Sequence, residues 1–159
     1  MYYKIDLNNY EPREVVNHLI INDYEELTSS QRQLINYELV NFQDSFGKPW
    51  KEFTINELSY RLSSNWTFFL IDDLEIKGWA FIDYNWEIPY LCNRYVVPQH
   101  RDGKLGDDLV WMRLNYLKKQ GYDNCYGFID NWNKPAQIVS RKVKKFTKVY
   151  DESLDIKKK

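Results

Sequence analysis

Two apolar runs separated by a polar turn constrain this chain most. In NWTFFLIDDLEIKGWAFIDYNW, aromatic and β-branched residues flank the segment DDLE. That pattern predicts an antiparallel hairpin. PYLCNRYVV supplies a third strand, closed by Pro98, which cannot donate to a ladder. The chain then crosses PQHRDGKLG and enters DDLVWMRLNYLKK at once. Over Leu105–Lys119, Leu105, Leu109, Met112 and Tyr116 share one side, with Val110, Leu114 and Leu117 beside them. A helix with so broad an apolar face belongs against a sheet, and Gly121 stands where it should stop.

The remaining segments complete an α+β pattern with a mixed sheet in one domain, as 159 residues allow. YYKIDL reads as an opening strand. EPREVVNHLI reads as a helix with Val15, Val16, Leu19 and Ile20 on one face. Ser29 or Ser30 would cap a second helix, SSQRQLINYELVNF, and Thr54 a short one through INELSYRL; DSFGKPWKEF is a loop between them. NCYGFIDN predicts another strand, Asn133 caps a helix through Lys145, and FTKVY with LDIK would form a final hairpin.

The net charge of −1 hides an asymmetry. Residues 1–97 carry 8 Lys+Arg against 15 Asp+Glu, net −7, and residues 98–159 carry 14 against 8, net +6. A polyanionic ligand is therefore expected on the C-terminal half. The loop from Arg101 to Gly106 offers a basic residue, two glycines and a helix N-terminus, a combination suited to phosphate.

Several classes of chemistry have no footing. His18 and His100 are the only histidines, and Cys92 and Cys125 lack metal-ligand spacing, so no metal site is expected. No G-x-S-x-G element is present. No signal peptide is visible, no apolar stretch is long enough to cross a bilayer, and two buried thiols suit a reducing cytoplasm. Six tryptophans and thirteen tyrosines exceed what such a length requires; beyond the core they could line a pocket or a protein interface, a homodimer among them.

Taken in order, these pieces resemble the GCN5-related N-acetyltransferase family. FFLIDDLEIKGWAFI resembles the family's second and third strands, RYVVPQHR its fourth strand, and GYDNCYGFIDNWNKPA its fifth strand and the start of the following helix. Arg101, Asp102, Gly103, Lys104, Leu105 and Gly106 align with its phosphate-loop pattern; Arg101 and Gly106 fall in place, while Lys104 occupies the middle glycine position. The resemblance implies a mainly antiparallel mixed sheet flanked by helices, with its fourth and fifth strands splayed apart.

It also implies acetyl-CoA as cofactor, held by backbone groups at Val96, Val97 and Arg101–Gly106, with Asn133 on the pantetheine arm. The activity implied is direct acetyl transfer to an amine, borne by a small molecule or a protein. Asn93 and Tyr95 could line the acceptor pocket. Asp83 and Glu87 are candidates for the base, since such transfer needs a neutral nucleophile. Where members often carry a tyrosine that protonates the thiolate, this chain has Ser140; the acid is then Tyr150, or none is essential. Two alternatives stand beside this reading. One is a catalytically weak or inactive relative that binds a partner. The other is nucleic-acid binding through RKVKKFTKVY and the closing KKK, which the acidic N-terminal half disfavours.

Overall fold

The computed structural model describes residues 2–15, 20–21, 24–40, 65–71, 74–101, 103–129, 133–146 and 148–151. The loop expected over 44–53, the helix expected over 55–62 and the strand LDIK lie outside these residues.

The hairpin forms where the two runs predict it, as β3 (Asn65–Ile71) and β4 (Ile76–Asp83), paired antiparallel. Alternation sorts its side chains onto two faces. Phe68, Leu70, Ala80 and Ile82 enter one core, and Phe69, Ile71, Trp79 and Phe81 the other. Burying each large side chain contributes about 2–3 kcal/mol, so both faces must be covered.

Helix α2 (Leu105–Lys119) covers the first face through Leu109, Leu114 and Leu117, beside α3 (Lys134–Phe146) with Val139 and Val143. Helix α1 (Ser29–Val40) covers the second through Ile35 and Leu34. The bounds of α2 coincide with the periodic run. Gly121 ends it at φ 90°, with its N–H donating to the Lys118 carbonyl and that of Tyr122 to Leu117, a left-handed cap that suits glycine.

The other strands are β1 (Tyr2–Asp6), β2 (Ile20–Ile21), β5 (Tyr90–Val96), β6 (Asn124–Phe128) and β7 (Lys148–Asp151). The sheet order is β2-β3-β4-β5-β6-β1-β7. Every neighbouring pair is antiparallel except β5–β6, which is parallel. The protein is thus α+β, with a mixed sheet flanked by helices.

Two expectations are corrected. Residues 11–15 are not helical and Ile20–Ile21 form a strand against Leu70 and Phe69, while 16–19 lie outside the described residues. The preceding carbonyls are committed to α2: Lys118 Nζ donates to Leu7 and Tyr10, and Asn115 Nδ2 to Arg13. They are not free to build a helix. The cap of α1 is Thr28, not Ser29 or Ser30. Its Oγ1 accepts from Gln31 N at 3.2 Å, while Gln31 Oε1 accepts from Thr28 N at 2.9 Å, a reciprocal capping box. Strand β7, expected within FTKVY, forms and pairs with β1; its expected hairpin partner LDIK lies outside the described residues.

Candidate active site at the end of strand β5

Strand β5 departs from regular pairing on both sides. Against β4, Trp79 faces Tyr95 and Phe81 faces Cys92, so Ala80 alone stands opposite Asn93 and Arg94. This is a β-bulge with its extra residue in β5, a device that twists a strand and re-aims its groups. Just beyond it, the backbones of β4 and β5 approach so closely that a Cβ on Gly78 would lie 2.6 Å from the Tyr95 carbonyl oxygen. Against β6, the register pairs are Tyr90–Tyr126 and Leu91–Gly127, supported by Tyr126 N donating to the Pro89 carbonyl at 2.8 Å. From Cys92 onward, β5 has no further register partner in β6 among the described residues.

Past the bulge, the chain turns toward α2. Val97 N donates to the Lys77 carbonyl and the Val97 carbonyl accepts from His100 N, so both backbone groups of this buried residue are committed. Pro98–His100 form a single 3-10 turn. His100 Nε2 lies 2.9 Å from Glu75 Oε2 of the β3–β4 turn, which steadies the loop. Arg101 folds back: Nε donates to the Val96 carbonyl at 2.7 Å and the guanidinium lies over the Tyr95 ring, 5.3 Å from its centroid. Asp102 lies outside the described residues. Gly103 and Lys104 are exposed, and no side-chain hydrogen bond from Lys104 caps α2. The first N–H groups of a helix without such a cap can meet solvent or a ligand.

Neither loop glycine is needed for the fold itself. A Cβ at Gly103 would meet nothing within 4 Å, and one at Gly106 would meet only Val139 Cγ2, at 3.7 Å.

The acidic pair in the first turn of α2 would repel an anion if both carboxylates faced outward. Asp107 does not: it is 6% exposed and accepts from Lys142 Nζ of α3 at 3.0 Å. Behind it lies a group of cations that apolar periodicity does not announce. Arg94 Nη1 donates to the Gly106 carbonyl at 3.5 Å. Arg113, only 4% exposed, donates Nε to Leu109 and Nη1 to both Phe81 and Cys92, the register pair beside the bulge. Burial pushes both guanidinium pKa values down to about 10; Asp107 opposes this at Arg94, and Arg94 adds to it at Arg113. Both remain charged at neutral pH. The sequence does carry a signal for Arg113, which stands four residues from Leu109 and from Leu117, on the buried face.

The remaining candidates are dispersed. Tyr95 is buried on the α1 side, its ring beside Trp79 and its hydroxyl donating to Glu38 Oε1 at 2.9 Å. Glu38 is itself 6% exposed. Asp83 and Glu87 lie at the other end of β5, about 20 Å along the strand from the loop. Asp83 accepts from Asn85 N, Asn85 Nδ2 and Trp86 Nε1, bonds that shape the β4–β5 turn, and Glu87 is exposed on that turn. Tyr150 belongs to β7, three strands from β5. Asn133 caps α3, its Oδ1 accepting from Ala136 N at 3.2 Å. The structure thus gathers Asn93, Tyr95, Val96 and Val97 with the loop, but not Asp83, Glu87 or Tyr150.

Among the described residues no group of three or more His, Cys, Asp or Glu could hold a metal ion, and no helix is long and apolar enough to cross a membrane. No family model matches this chain, and comparison with curated proteins finds no match.

Proposed function

We propose that this chain is an acyl-CoA-dependent N-acyltransferase, related to the GCN5-like acetyltransferases, that uses acetyl-CoA and hands the acyl group directly to an amine. One observation carries the reading: β5 bulges and, among the described residues, has no β6 register partner past Leu91, before a glycine-bearing loop enters a helix that the Lys104 side chain does not cap. A strand edge without a ladder partner suits the amide groups of pantetheine. The amides at the start of α2 suit the diphosphate. Asn133 stands at the start of α3 and would meet the pantetheine arm.

In the transfer step the neutral amine attacks the thioester carbonyl, the C–S bond breaks, and the proton lost by nitrogen ends on the coenzyme sulfur. Positioning supplies most of the acceleration. A covalent cysteine intermediate is not required. Cys125 is fully buried, and burial pushes its thiol up to about 12, partly opposed by Arg113; such a thiol is a poor nucleophile at neutral pH. The acidic N-terminal half favours a cationic amine as acceptor.

Calorimetry with acetyl-CoA, desulfo-CoA and unrelated nucleotides tests the cofactor. Selective binding of the two coenzyme forms supports the reading, and equal or absent binding across the set overturns it. An amine screen that follows CoA release and product mass then identifies the acceptor.

A further inference from the structure

Asp107 is the third residue of α2, counted from Leu105, and so lies in the turn whose N–H groups have no partner within the helix. An acid at this position ordinarily serves its own helix, its carboxylate answering the open amides and the positive end of the dipole. Here it does not. Asp107 is buried, and its Oδ2 accepts from Lys142 Nζ of α3 at 3.0 Å. Among the described residues, no backbone N–H donates to this carboxylate.

Helix α3 lies where this contact needs it. Val139 stands beside the same turn, since a Cβ on Gly106 would come within 3.7 Å of its Cγ2. Lys142 follows one turn later on α3, so both residues face the start of α2. Arg94 also feels the Asp107 charge, but its own bond goes to the Gly106 carbonyl. The cation bonded to the carboxylate is therefore Lys142. It is 55% exposed, so it can be replaced without opening a cavity in the core.

We propose that Lys142 is a positioning residue for the coenzyme diphosphate: by drawing the Asp107 carboxylate onto α3, it leaves the N-terminal amides of α2 to the ligand. This rests on the acyltransferase reading and adds to it the residue that sets how strongly the anion is held. Without Lys142, the carboxylate would turn to the amides of its own helix. The diphosphate would then meet a like charge in the place it needs. At the edge of a protein interior such repulsion is stronger than in water. Lys142 acts through Asp107 and does not touch the ligand.

The test is calorimetry with CoA on the wild type, Lys142→Gln (K142Q), Lys142→Arg, Asp107→Asn (D107N) and the K142Q/D107N double variant. Each is checked for folding by circular dichroism and thermal melting. K142Q should weaken CoA binding about fivefold or more, and Lys142→Arg should retain wild-type affinity. D107N, which removes the charge in place, should bind at least as tightly as the wild type. Adding K142Q to D107N should then change nothing further. An ion pair with a structural role alone would make D107N and K142Q lose affinity together, and that result overturns the proposal. So does unchanged affinity in folded K142Q. A K142Q loss that persists in the D107N background overturns it too, since Lys142 would then contact the ligand itself. Should K142Q not fold, D107N decides alone: binding weaker than wild type rejects the positioning role. If the wild type does not bind CoA, the acyltransferase reading falls and takes this proposal with it, and the wild-type titration alone separates that outcome from the others.

Discussion

Tyr95 donates its hydroxyl to a Glu38 carboxylate that is as buried as the tyrosine ring, and this single bond ties helix α1 to the strand that carries the bulge. A hydrogen bond to a buried charged acceptor contributes about 1.5–3 kcal/mol. Tyr95→Phe (Y95F) should therefore lower unfolding free energy by about 2 kcal/mol in urea titrations. Glu38→Gln in the Y95F background should cost much less than Glu38→Gln alone, because the two act as one unit. A Y95F midpoint equal to wild type would show that the pair does not hold α1 in place.

Gly78 gives a second, purely steric prediction. Its missing Cβ would stand 2.6 Å from the Tyr95 carbonyl oxygen and 3.3 Å from Leu109 Cδ1. The nearest obstacle is backbone in a central strand, which cannot swing away. Gly78→Ala should destabilise by about 2 kcal/mol or more, whereas Gly103→Ala, with open space around it, should change stability by less than about 0.5 kcal/mol. Comparable midpoints for the two variants would refute the close approach of β4 and β5.

At Gly106 stability and binding should separate. An added methyl there meets only an ordinary contact with Val139, and alanine favours a helix over glycine by about 1 kcal/mol. Gly106→Ala should melt no lower than wild type. Gly106→Val should weaken acetyl-CoA binding about tenfold or more by blocking approach of the diphosphate to the helix amides. Unchanged affinity in a folded Gly106→Val protein would remove this residue from the binding site.

Alkaline pH reports on Cys125. Burial raises its thiol from an ordinary 9.0 to about 12, so the folded protein keeps a proton that the unfolded chain gives up. The stability it contributes is complete below 9.0 and is lost as pH rises toward 12, at about 1.4 kcal/mol per pH unit. Tyr10 adds a loss in the same direction above 10, while Arg94 and Arg113, lowered to about 10, act oppositely there. The clean window is pH 9–10. Stability of Cys125→Ala should fall less steeply in that window than that of the wild type; parallel slopes would contradict the assignment.

What the sequence made legible follows a physical divide. Leu105–Lys119 could be delimited to the residue because its period and its terminal glycine are both local signals. The β3–β4 hairpin and the Asn133 cap were local too. The segment EPREVVNHLI misled for the opposite reason. Its apolar spacing suits a helix, but Ile20 and Ile21 serve the edge of β3, and nearby carbonyls are held by Asn115 and Lys118 from the far half of the chain. Arg113 stands at a spacing that falls on the buried face, yet a reading that sorts residues by apolarity passes over it. The Glu38–Tyr95 bond joins residues 57 positions apart, and nothing local marks either as a partner. Within the site, Asn93, Tyr95, Val96, Val97 and the loop lie together because they are contiguous. Asp83, Glu87 and Tyr150 are separated from them by the length of a strand or the width of the sheet.

The sheet order also has a consequence for how this protein is made. Strand β1 lies between β6 and β7, and both come far later in the sequence. Strands β2 to β5 can pair with one another as they leave the ribosome. Strand β1 must wait, with both edges open, until the much later β6 and β7 have emerged, because pairings between distant segments close last. Pulse-labelled hydrogen exchange during refolding should find the amides of β3 and β4 protected before those of β1. During that interval the exposed edges of YYKID are where a holdase chaperone would act and where aggregation would begin.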